Sequence, residues 1–221
     1  FKNKCRDKVY KAFATSGYTF NKFYPLYNKD KIIWYPHSAR YIIPFKENPI
    51  HKILITGRIN DKIYPNRYKM VQMSKKDKFI KYYKPNIKYR CSINSDKSDK
   101  IYGEKFYQLL NKYLICFTCD ANPNRPYIVA KHFEILGSGA LLFACNPNTK
   151  KEFESLGFID MVDYVSCNSE NMEEKIKWLK NKDNLEEINK IRKNGYEKVK
   201  NNHTWKHRLE FLLKELDLKK N

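Results

Sequence analysis

Lys131 and Glu134 stand three residues apart in a run of helical character, so a cation and a carboxylate share one face. A carboxylate in such a place can accept both hydroxyls of a ribose, the use that dinucleotide sites make of an acidic residue. The ordinary alternative is a surface Lys–Glu pair. Just upstream, Asn122-Pro123-Asn124-Arg125-Pro126 leads into the same run. Proline at a first helical position leaves the other amides of that turn free, and with the helix dipole they suit an anion. The pattern predicts a helix from Pro126 to about Leu136, ended by Gly137-Ser138-Gly139, with Arg125 beside its anion-binding end. A second constellation is Lys52-Ile53-Leu54-Ile55-Thr56 followed at once by Gly57-Arg58. A buried strand that ends in glycine lets backbone approach a ligand, and Arg58 could fork onto its phosphate. A plain strand–helix turn with a surface arginine would read the same.

Other residue sets point less far. Cys116-Phe117-Thr118-Cys119 has the spacing of a metal or redox pair, but in a strand residues three apart point to opposite faces. His203 and His207, four apart, lack the glutamate of a zinc-protease helix and are expected to be solvated. No metal site is expected. His37, in Tyr35-Pro36-His37-Ser38-Ala39-Arg40, precedes the proline-bearing stretch 44–51, where a cleft between domains would open, and is a candidate catalytic residue. Residues 62–100 carry ten Lys, Arg67 and Arg90 against Asp77, Asp96 and Asp99, with Tyr64, Tyr68, Phe79, Tyr82, Tyr83 and Tyr89 between them. Basic grooves with stacking aromatics bind single-stranded nucleic acid, so a nucleic-acid-binding module is the rival reading. A solvated face whose aromatics are partly core is favoured, because no RNA-binding signature accompanies it. One of these tyrosines, Tyr89, could stack on a nucleobase.

The elements that must position these residues alternate. Apolar strands are expected at 52–56, 113–119, 140–145 and 160–165, and a short one at 32–35. Helices are expected at 66–75, 103–112, 126–136 and 149–156, then at 170–181 with Ser169 as N-cap, and near 184–200 and 204–217. The strands are continuous apolar runs, which implies burial on both faces: an α/β fold, a Rossmann-like parallel sheet with helices on both faces. The expected organisation is an N-terminal segment and linker at 1–46, a nucleotide-binding unit at 47–202 and a C-terminal helix at 203–221. The chain begins with Phe1, so the first segment reads as the tail of a further domain upstream.

Composition sets the wider frame. The net charge is +20, from 44 basic and 24 acidic residues among 221. Such a charge draws polyanions, although Lys, Asn, Ile and Tyr share AT-rich codons and genome bias explains part of it. The six cysteines are scattered, several in apolar runs, which suggests reduced thiols in an intracellular protein. No apolar run approaches the ~20 residues a membrane span needs.

Taken together, the run Lys131-His132-Phe133-Glu134-Ile135-Leu136-Gly137-Ser138-Gly139-Ala140-Leu141-Leu142 resembles the core of group 1 glycosyltransferases of the spore-maturation CgeB-like branch. The likeness continues through Glu152-Phe153 to Val165 and ends with His203-Thr204-Trp205-Lys206-His207-Arg208; Ile53 to Arg58 resembles the family's first donor-domain strand and its Gly-Arg turn. The resemblance implies the C-terminal, donor-binding half of a GT-B fold, acting on a UDP- or GDP-sugar without a metal or other cofactor. Glu134 matches the second glutamate of the E-x7-E motif, the ribose contact. Gly57, Arg58, Arg125 and Lys131 become candidates for the diphosphate. The first glutamate of that motif would fall at Pro126, so the usual sugar contact is missing. An acceptor, glycan or protein, would be held by another domain. The compositional bias resembles giant-virus proteins of this family. A third reading is a non-catalytic domain that docks a partner.

Overall fold

The computed structural model describes residues 10–16, 29–84, 101–120 and 126–216. Two short strands, β1 (Ala12–Ala14) and β2 (Ile32–Trp34), pair in parallel as a separate ribbon. The main sheet has five parallel strands: β3 (Ile50–Thr56), β4 (Ile80–Tyr83), β5 (Tyr113–Cys119), β6 (Leu141–Cys145) and β7 (Val165–Cys167). Their spatial order is β4-β3-β5-β6-β7. The helices between and after them are α1 (Pro65–Ser74), α2 (Glu104–Asn111), α3 (Lys131–Gly137), α4 (Lys150–Ser155), α5 (Met172–Lys180), α6 (Leu185–Asn202) and α7 (Trp205–Glu215). This is the expected Rossmann-like α/β architecture.

The apolar runs make the sheet because both of its faces are covered. Along β3, Ile53 and Ile55 pack with Met70 and Val71 of α1 and with Met172, Ile176 and Leu179 of α5. The intervening Leu54 packs on the other face with Tyr107 and Leu110 of α2 and Phe133, Ile135 and Leu136 of α3. Each such side chain, fully buried, contributes about 1.5–3 kcal/mol. The chain leaves β3 for β4 on one side and then crosses back to β5 on the other. That reversal opens a crevice at the carboxyl ends of β3 and β5, the place where open parallel sheets bind ligands.

The N-terminal stretch is tied to this body. Ala39 is wholly buried; its amide donates to the His203 carbonyl and its own carbonyl accepts from Trp205. Arg192 of α6 is fully buried, donates to the carbonyls of Gly139 and Lys46, and stacks on Phe45 at 4.0 Å. Residues 39–46 are thereby held against the end of α3 and the start of β6.

Four local expectations are corrected. α3 begins at Lys131, not Pro126, because Ile128 is buried in the core between α2 and α3 and residues 126–129 run irregularly to bring it there. The anion-binding first turn expected at Pro126 is therefore not formed. β7 starts at Val165: residues 159–163 form a turn in which Met161 has φ 59° and the Asp163 carboxylate accepts from the Ile159 amide at 2.7 Å. α5 is preceded by Asn171 rather than capped by Ser169, since Asn168 takes the amides of Glu170 and Asn171. His203 is not solvated. It ends α6, stacks on Phe158 and meets Arg208 at 3.0 Å, while His207 caps α7 through Thr204.

Candidate functional site

Thr56 and Gly57 end β3 at the crevice. Gly57 has φ +104°, a conformation that side-chain-bearing residues rarely adopt. Space imposes the same choice: a Cβ there would lie 2.6 Å from the Lys131 Nζ and 3.4 Å from the Arg67 Nη1. Lys131, at the start of α3, donates to the Thr56 carbonyl at 3.0 Å. The Tyr82 hydroxyl donates to the Gly57 carbonyl at 3.2 Å. The bare turn is thus pinned on both sides, and its glycine leaves backbone open to a ligand.

One turn along α3 from Lys131, Glu134 faces the same opening. Both line a cleft of about 350 Å³ together with Arg40, Tyr41, Thr56, Gly57, Tyr83, Ile101, Tyr102, Gly103, Phe106 and Tyr107. Its volume lies within the range of small-ligand sites. Burial raises the Glu134 pKa, and Lys131 pulls it back. Among the described residues its carboxylate has no hydrogen-bond partner and no ion pair; Lys131 itself lies beyond ion-pair distance. An acceptor is therefore free in the cleft. The Tyr107 hydroxyl accepts from the Arg40 amide at 2.9 Å, and burial lifts its pKa to about 12. Gly103, with φ +59°, precedes α2 on the opposite wall. The cleft wall combines Lys131, beside Gly57, and Arg40 with the Glu134 carboxylate and the rings of Tyr83, Tyr102 and Phe106.

Burial, then the neighbouring Arg67 guanidinium, lower the Lys131 pKa to about 8. Arg67 belongs to the other face of the sheet, on α1. It is 4 % exposed, stacks over Tyr64 at 4.1 Å and donates to the Arg58 carbonyl at 3.2 Å. Sequence reasoning counted Arg67 only as one basic residue in 62–100. The usable signal was its place in the apolar stripe of α1, three residues after Tyr64 and three before Met70. Arg40, Tyr41, Phe106 and Tyr107 were also missed, because their convergence depends on tertiary packing.

Other expected site residues fall elsewhere. The Arg58 side chain is exposed and does not line the cleft: the left-handed turn at Gly57 directs the chain outward, and only the Arg58 carbonyl is engaged. His37 is half-buried and off the cleft wall; its carbonyl accepts from Arg208, and burial lowers its imidazole pKa. Arg125 and Tyr89 lie outside the described residues. Cys116 and Cys119 point into opposite cores, as the strand spacing requires. Tyr64, Phe79 and Tyr82 pack on the core rather than lining an open groove, so the nucleic-acid reading is not favoured.

Asp120, directly after β5 at the same sheet edge, is 3 % exposed and accepts from the Asn148 amide at 3.0 Å. Burial raises its pKa to about 6. Its bonding ties the ends of β5 and β6 together.

Similar architectures carry known activities. The pneumococcal O-GlcNAc transferase GtfA, solved with UDP and GlcNAc, superposes with a TM-score of 0.59 at 12% identity, over 96% of this chain and 46% of that one. A glycosyltransferase from Rickettsia africae gives 0.62 at 15% identity, over 100% of this chain and 69% of its own. A mutant of S. aureus TarM, in complex with Fondaparinux, alpha-GlcNAc-glycerol and UDP, gives 0.62 at 11%, over 95% and 44%. The chain thus spans about half the length of GtfA and TarM. No curated protein sequence matches it significantly. The family model described as "Glycosyl transferase-like" matches residues 42–214, most of the chain and every strand of the main sheet. This protein is a member of the glycosyl transferase-like family.

Proposed function

We propose that this chain is the donor-binding half of a glycosyltransferase that transfers a sugar from a UDP- or GDP-sugar. The observation that carries the reading is the meeting in one cleft, at the reversal point of the sheet, of Gly57, Lys131 and a Glu134 carboxylate that has no partner among the described residues. The half-buried backbone at Gly57, which lines the cleft, and the Lys131 ammonium suit a diphosphate. Glu134, one helical turn along from Lys131, suits the ribose hydroxyls. The aromatic wall of Tyr83, Tyr102 and Phe106 suits a nucleobase. UDP is the first nucleotide to try, because GtfA and TarM were solved with it.

In the reaction, the bond between the anomeric carbon and the diphosphate breaks as the acceptor hydroxyl attacks. Charge grows on the departing phosphate oxygen. Lys131 would stabilise that charge, which is electrostatic catalysis by a fixed donor. No metal or other cofactor is part of this scheme. Ribose recognition by Glu134 orients the donor and takes no part in bond breaking. The acceptor, glycan or protein, would be held by a further domain, for which residues 1–46 would form the connection to the unit at 47–202 and the helix at 203–221. Membership of the CgeB-like branch rests on the run 131–142, and a giant-virus relationship on composition. An intracellular location rests on the four buried free thiols Cys116, Cys119, Cys145 and Cys167. Among the described residues no helix is long and apolar enough to cross a membrane.

Thermal denaturation with and without nucleotide sugars tests the reading. A UDP- or GDP-sugar is expected to raise the melting temperature of the full chain, and Glu134→Ala to abolish the rise. No shift with any nucleotide sugar at millimolar concentration would overturn it.

A further inference from the structure

β5, β6 and β7 each end in a cysteine, and the three stand side by side. The register pairs Cys119 with Cys145 and Cys145 with Cys167, and all three belong to the core on the α1 and α5 face of the sheet. Neighbouring strands lie about 4.7–4.9 Å apart, within the about 4.4–6.8 Å that a disulfide spans between Cα atoms. The Cys145 thiol is hydrogen-bonded to that of Cys167; this bond, then burial, push its pKa well above the ordinary thiol range. Cys145 is wholly buried, whereas Cys167 is 5 % exposed and lies in β7, the three-residue edge strand of the sheet. A short edge strand opens at low cost, so Cys167 is the thiol of the pair that a small reagent reaches first. Cys116 gives a contrast within the same sheet: it is buried on the other face, and its thiol donates to the Leu110 carbonyl at 3.6 Å.

We infer that Cys145 and Cys167 are an oxidisable pair, a reversible modification site at which a peroxide joins β6 to β7 through a disulfide. The inference is independent of the donor-binding reading. The Cys167 sulfur, as thiolate, attacks one oxygen of the peroxide; the O–O bond breaks, and a sulfenic acid and one water form. The Cys145 sulfur then attacks the sulfenic sulfur, losing its proton as the S–O bond breaks and a second water leaves. Each sulfur gives up one electron, hydrogen peroxide takes both, and the two thiol protons end in the two waters. A thiol held neutral is a poor first nucleophile, which makes Cys145 the resolving partner. Attack by a reducing thiol on the disulfide reverses the change.

Peptide mapping of the full chain tests this. The native protein is treated with dilute hydrogen peroxide, the remaining thiols are alkylated after unfolding, and the digest is read by mass spectrometry without reduction. The expected product is one dominant linked peptide that joins Cys145 to Cys167, lighter by two hydrogen atoms than its reduced parts and separated again by dithiothreitol. Cys119→Ala, which removes the other register partner of Cys145, should leave its yield unchanged, and so should Cys116→Ala. If these variants do not fold, the wild-type map still decides. Cys145 recovered fully alkylated, Cys167 carried to the sulfinic acid without a link, or Cys145 joined chiefly to Cys119 would overturn the inference. The same pattern of links in chain oxidised while unfolded would overturn it too, because the strand register would then not select the pair.

Discussion

Lys131 couples ligand binding to protons. Its pKa is lowered to about 8 by burial and by Arg67, against 10.5 for an ordinary lysine. Between these values the folded chain binds fewer protons than the unfolded one, so the stability of the free protein rises with pH across that window. A bound anion reverses the preference and restores the proton. Affinity for UDP is therefore expected to be greatest below pH 8 and to fall above it, by at most about tenfold per pH unit. Titrations between about pH 6.5 and 9.5 measure this; Lys131→Met should flatten the profile and lower affinity at pH 7 by about tenfold to a hundredfold. A flat wild-type profile would contradict the placement of Lys131 at the anion. Gly57→Ala should be worse tolerated than its size suggests, because the new methyl would meet Lys131 in a left-handed turn. A loss of about 1–3 kcal/mol in denaturant unfolding, with nucleotide binding abolished, is the expected result. Lys131, Glu134 and Gly57 could be singled out by type and spacing, but a surface Lys–Glu pair and a plain strand–helix turn have the same spacing, and only packing brings the three to one cleft. Arg67 was hidden in a basic stretch, and Arg58 was misplaced because a glycine turn redirects the chain in a way that spacing does not encode.

The elements are arranged so that helices on opposite faces converge over one strand end. α1 brings Arg67, α3 brings Lys131 and Glu134, and β3 supplies the turn between them. The central strands were readable because a doubly covered parallel strand is a plain apolar run. The start of α3 was not: Ile128 is drawn into the core, and tertiary burial overrides the proline signal at Pro126. Gly195 gives a test of packing at this scale. It lies within α6, where alanine would ordinarily favour the helix. A Cβ there would meet the Asp163 carbonyl at 2.2 Å and Leu136 Cδ2 at 2.7 Å. Gly195→Ala is therefore expected to destabilise the chain by about 1–3 kcal/mol and, by pushing on α3, to weaken nucleotide binding. A neutral or stabilising effect in thermal unfolding would show that α6 does not set the position of α3.

For the whole molecule, a net charge of +20 invites polyanions of any kind. Non-specific association with an oligonucleotide is expected to fade between about 50 and 200 mM salt, as counterion release requires. UDP, held in a shaped cleft, should retain most of its affinity over the same range and should not be displaced by the oligonucleotide. Fluorescence anisotropy with both ligands distinguishes the two; salt-resistant oligonucleotide binding in competition with UDP would favour the nucleic-acid reading instead. The fold class was legible from the alternation of runs. The shape of the cleft was not, because Arg40 and Tyr41 reach it from a stretch that reads as a linker and is held in place by Arg192 and by the joint of α6 and α7.

A nucleotide sugar should lie across Gly57, between Lys131 and Glu134, and the function proposed for this chain depends on that placement. A crystal structure of the chain with UDP-GlcNAc or another UDP-sugar tests it most directly. The expected density has diphosphate oxygens within hydrogen-bond reach of the Lys131 Nζ and the Gly57 backbone, and both ribose hydroxyls on the Glu134 carboxylate. A nucleotide seated elsewhere on the molecule, with Glu134 left unpartnered, would contradict it.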